Sequence, residues 1–273
     1  CRTSSKMLNC IMVPPPMENG RFPYKLYYLG GSIFNLLLAV CAAFLAVRFR
    51  AVPLAFCVAA EAAFLFFWSA LINFIPLRTE NYVNHAYSAV MAGKTEESLS
   101  RCHAKLNRLA AELSGMRMRD MPEAWLHMPR DYELRMADGA EEAFQLHCKR
   151  MDEHRFTEAL EIADRIFAQN TEGPFPLQGD LLNNCVYLCL MEDKPAAGYK
   201  TSAWELFRSR NGGDLAALRT EYAMALLYGN DAEAARKIRL QFERVALRYP
   251  ALADVETERE LMELAAEKYR KES

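Results

Sequence analysis

The side chains with the clearest capacity for chemistry are five histidines and a carboxylate set inside an apolar stretch. Asn84 and His85 stand just past that stretch, and a neutral imidazole there is a potential zinc ligand. His147 and His154 are seven residues apart, with Asp152 and Glu153 between them. On one helix face they would form a sparse metal-ligating group, and a solvated face explains the same residues. Cys185 and Cys189, spaced i and i+4 among Leu181, Leu182, Val186 and Leu188, read as core packing. Glu61 is the only charge between Ala51 and Leu77. A carboxylate at membrane depth is a functional candidate; as a protonated or turn-proximal residue it has no role beyond its own solvation. The chain has no Gly-rich phosphate loop, no GxSxG elbow and no HExxH, so no catalytic residue is assigned within it.

The elements that must position these residues fall into two populations. Leu29 to Val47 is uncharged and ends at Arg48 and Arg50; Ala51 to Leu77 is long enough to cross a second time. The connection is only a few residues, so a transmembrane helical hairpin is expected, with both ends on one side of a lipid bilayer. Arg21, Lys25 and Arg78 at the base outnumber Arg48 and Arg50 at the tip, which favours a multi-pass cell-membrane protein with cytoplasmic termini. Within the first span, Gly30 and Gly31 would permit close helix approach or mark a helix start. Asn35 is an amide that needs a partner at membrane depth.

The remainder is rich in Glu, Arg, Lys and Ala. Thr95 is a candidate N-cap, with Glu96 and Glu97 in the first turn of a helix reaching about Met116. Pro122 opens a short turn containing Trp125. Helical periodicity then recurs over Ala140–Arg150, Phe156–Gln169, Gly179–Met191, Ser202–Arg210, Asp214–Tyr228, Asp231–Tyr249 and Asp254–Lys271, with breaks at 170–176, 193–198, 211–213 and 229–230. The expected fold class is all-α: the hairpin at 29–77, preceded by a pre-membrane segment at 1–28, followed by a connector with a surface helix at 78–138, and a soluble helical-repeat-like (tetratricopeptide-like) domain at 139–273. Such arrays bind segments of other proteins.

A net charge of −2 gives no reason to expect a nucleic-acid partner. The eight cysteines form no CxxC pair in a chain that is neither short nor loop-rich, so reduced thiols and a cytoplasmic soluble part are expected. The chain begins at Cys1 rather than Met, and residues 1–26 lack the apolar core of a signal peptide. An upstream segment is therefore expected.

Several stretches, taken in order, resemble site-2-protease-like membrane zinc metallopeptidases of bacteria. They are Met12-Val13-Pro14-Pro15-Pro16, Asn19 to Tyr27, Leu29-Gly30-Gly31, Asn35-Leu36-Leu37 and Ile72 to Thr79. Met121-Pro122-Glu123-Ala124-Trp125, Phe242 to Val245, Tyr249-Pro250 and Glu258 to Leu261 resemble the helical C-terminal extension of one branch. The resemblance implies zinc-dependent cleavage of a protein or peptide substrate at membrane depth, with this chain as the C-terminal portion. The family's HExxH helix would lie before Cys1. Its third zinc ligand is an Asp in an Asn-Asp-Gly stretch, matched here by Asn84-His85-Ala86. His85 thus replaces the ligand, while Asn35, Gly30, Gly31 and Asn84 would line the substrate cleft. Either His85 holds zinc, or the site has degenerated and the protein is a catalytically inactive membrane-anchored adaptor whose helical domain holds a protein partner.

Overall fold

The computed structural model describes residues 12–79, 83–169 and 177–272, and every regular element among them is helical. Extended pairing among these residues is confined to isolated bridges at Glu18–Arg21 and Arg78–Val83. The chain forms two compact units, one over residues 12–107 and one from Arg108 onward.

The first unit is built on helices α1 (Tyr24–Arg48) and α2 (Pro53–Phe74). At 1.5 Å per residue they are about 38 and 33 Å long, enough to cross a ~30 Å hydrocarbon core. Pro53 occupies the first turn of α2, where its missing N–H costs nothing. Pro76 forces Ile75 into an extended conformation, which ends the helix. The pair forms an antiparallel hairpin, and its seam is made of small side chains. Ser32, Ala39, Ala42 and Ala46 are the buried residues of α1, and Ala70 is that of α2. With half-buried Asn35 they follow an alternating three- and four-residue spacing that lets two helix backbones approach closely. Large side chains such as Phe44, Leu54 and Phe64 point outward. Only 22% of the most apolar window of α1 and 6% of that of α2 is buried. A core helix of a water-soluble domain would show the opposite.

Helix α1 begins five residues before the expected Leu29, because Tyr24 to Tyr28 continue the helical turn. Tyr24 and Tyr27 pack against a small core of Phe22, Leu99 and Leu106. Two shorter helices follow, α3 (His85–Ala92) and α4 (Glu96–Leu113). The Thr95 cap of α4 forms as predicted, its Oγ accepting from the Ser98 N–H at 3.0 Å. The stretch expected as a polar connector is instead partly helical, since α3 starts within it; Glu80, Asn81 and Tyr82 lie outside the described residues.

The second unit contains α5 (Asp131–Leu134), α6 (Ala137–Asp152), α7 (Phe156–Gln169), α8 (Gln178–Met191), α9 (Ser202–Asn211), α10 (Leu215–Ala223), α11 (Ala232–Ala246) and α12 (Leu252–Glu272). Phe144, Ile166, Leu181, Leu188 and Leu261 belong to its main core, and Leu218, Phe242 and Met262 to a second. The predicted break at 170–176 falls outside the described residues. The predicted helix over Asp214–Tyr228 is two segments: α10 passes into a π-helical turn, Met224–Tyr228, closed by the Gly229 N–H bonding Met224 O at 2.9 Å. Helices α5 to α9 each pack on the next, as do α10 and α11, while α10 also packs on α8, and α12 returns on α10 and bonds α8, where Tyr187 Oη donates to Leu261 O at 2.7 Å.

Cys41, Cys57, Cys102, Cys185 and Cys189 carry free thiols. Cys148 is disulfide-bonded, which overturns the expectation of reduced thiols at that position.

Candidate functional site

The Asn84–His85 step forms the corner where α2 ends and α3 begins. Asn84 is 1% exposed, and its side chain uses every hydrogen-bonding position it has. Its Oδ1 accepts from the backbone N–H of Leu77 at 3.1 Å and of Tyr87 at 3.0 Å. Its Nδ2 donates to the carbonyls of Ile72 at 3.0 Å and Ile75 at 2.6 Å. One amide therefore caps the C-terminus of α2 and the N-terminus of α3, satisfying backbone groups that neither helix can satisfy itself. Around it, Asn84 N–H bonds Leu77 O at 3.2 Å, and Arg78 donates to Tyr87 Oη at 3.2 Å.

His85 is the first residue of α3 and is exposed, with its ring 6.4 Å from that of Tyr28. No group of three or more His, Cys, Asp or Glu suited to a metal ion occurs among the described residues. A single imidazole does not make a zinc site, which takes at least three protein ligands. The described residues therefore do not by themselves fit the metal.

Asn35 meets a partner inside the hairpin, donating from Nδ2 to Ser69 Oγ at 3.1 Å. Gly30 and Gly31 are not where the two spans approach. A Cβ built on either meets nothing within 4 Å, and the alanine seam takes that role. Glu61 lies on the outward face of α2, and its carboxylate has no hydrogen-bond or ion-pair partner among the described residues. Gly30, Gly31, Asn35, Asn84 and His85 all belong to the first unit, and the polar bonds of Asn35 and Asn84 run to different partners, Ser69 in one case and Ile72, Ile75, Leu77 and Tyr87 in the other.

The histidine pair of the second unit does not share a helix face. Helix α6 ends at Asp152, and His154 lies beyond it at a φ of 60°, with Nε2 3.1 Å from Glu260. Asp152 is held instead by Arg117 at 2.5 Å, the Arg119 N–H at 2.9 Å and Thr257 Oγ at 3.1 Å. His147 is wholly buried. Its Nδ1–H donates to Ala159 O at 2.8 Å, which leaves Nε2 to accept from Asn184 Nδ2 at 3.3 Å. Asn184 Oδ1 accepts from Arg219 at 2.8 Å. Arg219 in turn sits 4.5 Å over the Tyr187 ring, with Nε 3.3 Å from Glu258. Burial pushes the His147 imidazole down to about 4, so it is neutral at pH 7, as this bond pattern requires. Burial raises the Cys185 and Cys189 thiols, which removes thiolate character and fits their reading as core residues.

Sequence reasoning missed this buried polar network altogether. Its members lie on α6, α8, α10 and α12, and charged types such as Arg219 and Glu258 ordinarily mark a surface. The one local signal is that Arg219 sits among Leu215, Ala216, Leu218 and Ala223.

Neither a family model, nor a curated protein, nor a solved structure matches this chain.

Proposed function

We propose that this protein is a membrane-anchored helical adaptor: α1 and α2 span a lipid bilayer as a hairpin, and the helical domain from α6 onward holds a protein partner. The observation that carries the first half is the exposure of both apolar helices, since outward Phe44, Leu54, Phe64 and Trp68 would meet water in any soluble setting. Base-proximal Arg21, Lys25 and Arg78 favour a multi-pass arrangement with the helical domain in the cytoplasm. The partner-binding half rests on the order of helices. Read as a tetratricopeptide-like series, α6/α7, α8/α9 and α10/α11 are consecutive pairs and α12 closes the last of them.

Cys41 and Cys57 test the membrane assignment, because both thiols are free and exposed on the hairpin. In intact vesicles carrying the full chain, a membrane-impermeant maleimide leaves both unlabelled, and detergent makes both reactive. Equal labelling with and without detergent contradicts the proposal.

The adaptor reading is preferred to a zinc peptidase because, of the two asparagines expected in a substrate cleft, Asn84 spends its whole amide within the chain and Asn35 bonds Ser69. The peptidase reading keeps one favourable feature, an exposed imidazole at the end of the second span. It places the other ligands on an upstream HExxH helix, and predicts stoichiometric zinc in a protein that includes that helix, falling on His85→Ala. Zinc at background level in both forms leaves the adaptor alone.

A further inference from the structure

We propose that the outward face of α2 docks a transmembrane helix bearing a basic side chain, received by the Glu61 carboxylate. The proposal rests on the membrane-spanning reading above.

Ser69 and Ala70 fix the inward side of α2, one bonding Asn35 and the other buried. Cys57, Glu61, Phe64, Leu65 and Trp68 form one exposed stripe at three- and four-residue spacing. Glu61 is eight residues along a helix that starts at Pro53, so it lies about 12 Å from the hairpin tip at 1.5 Å per residue. A glutamate side chain is too short to bring its charge back to the interface from there, unlike a long lysine or arginine. Among the described residues the hairpin supplies the carboxylate with no hydrogen-bond or ion-pair partner. Leu29 to Val47 of α1 contains no charge, and the Asn35 amide is bonded to Ser69. A carboxylate at this depth faces outward only at a cost, and an opposing cation offsets it.

The neighbouring residues narrow the occupant. Phe64 and Trp68 stack with centroids 6.2 Å apart and planes 14° apart, so one turn beyond the carboxylate lies a flat aromatic surface. The methylene stem of a lysine packs on such a surface, and its ammonium is attracted to the ring faces. A second copy of this chain would bring carboxylate against carboxylate, which complementarity disfavours.

The test uses the full chain reconstituted in phosphatidylcholine vesicles with synthetic single-span Leu/Ala helices. Their central residue is Lys, Leu or Glu, and each carries a cysteine one turn from the centre. Oxidative crosslinking to Cys57 is scored against a Cys57→Ser control. The Lys helix is expected to crosslink at least tenfold more than the Leu helix, and the difference to vanish in Glu61→Gln. Equal crosslinking of the Lys and Leu helices, persistence of the preference in Glu61→Gln, or preferential Cys57–Cys57 dimers of the chain itself would each overturn the proposal. Vesicle flotation is read in the same samples. A chain that floats without discriminating between the helices removes this proposal alone, and a chain that does not float removes the membrane reading with it.

Discussion

At the residue scale, two buried side chains make the sharpest predictions. His147 is neutral in the folded protein, with its ionisation pushed from the usual 6.5 to about 4 by burial. The unfolded chain takes up a proton at His147 below pH 6.5 and the folded chain does not, so acid favours unfolding. Stability should fall between pH 6.5 and 4 by an amount approaching about 3 kcal/mol, at ~1.4 kcal/mol for each pH unit separating the folded and unfolded ionisations. His147→Gln should flatten that part of the profile, measured as melting temperature against pH; an unchanged slope would remove His147 as its source. Asn84 is the second. Asn84→Ala removes a four-bond cap between α2 and α3, and a cost of about 2 kcal/mol or more is expected, given ~1–3 kcal/mol per stranded buried group. Asn84→Asp should also destabilise, because a carboxylate cannot donate to the Ile72 and Ile75 carbonyls. Thermal melts in detergent, with protease cleavage between the two helices as a local readout, check both variants.

At the element scale, the chain turns on close approaches that only some residues allow. Gly139, in the first turns of α6, faces the preceding short helix so closely that a Cβ would lie 2.2 Å from the Glu133 carbonyl oxygen. That atom belongs to the backbone and cannot swing away. Gly139→Ala should therefore cost on the order of 1–3 kcal/mol despite alanine's better helix propensity, whereas Gly30→Ala, with open space around it, should be neutral or mildly stabilising. Equal melting temperatures for the Gly139→Ala and parent proteins would refute the contrast. The same contrast marks what was legible. Helix ends with a side-chain cap, at Thr95, Thr201, Asp214 and Asp231, could be read locally, because the capping oxygen sits two or three residues from the N–H it accepts. Helix α3 carries the same local signal, since Asn84 Oδ1 accepts from the Tyr87 N–H three residues on, but that the same amide also ends α2 is recognisable only with Leu77, Ile72 and Ile75 in place. The hairpin was legible from apolar length alone. Its seam was not, because alanines give no signal to separate the face that packs from the face that does not, and the glycines drew attention instead.

At the scale of the whole molecule, the all-helical architecture followed from periodicity, while the ionic interior of the second unit did not. Arg219 and Glu258 are 39 positions apart and meet only when α12 returns on α10. Removing one partner strands a buried charge, so Arg219→Met alone should cost about 3–5 kcal/mol, and adding Glu258→Leu should recover much of that loss. Chemical denaturation of the two variants decides it, and equal instability of single and double variants would count against the pairing. Among the described residues no such network supports the hairpin, whose outward surface is almost wholly apolar, so its stability depends on the medium around it. One partition measurement therefore decides whether lipid is that medium. Full-length chain mixed with preformed lipid vesicles from detergent, stripped of detergent and washed at alkaline pH, is expected to float with the lipid and to leave it only when detergent returns. Recovery of the chain as a soluble monomer in the aqueous fraction, without detergent, would contradict it.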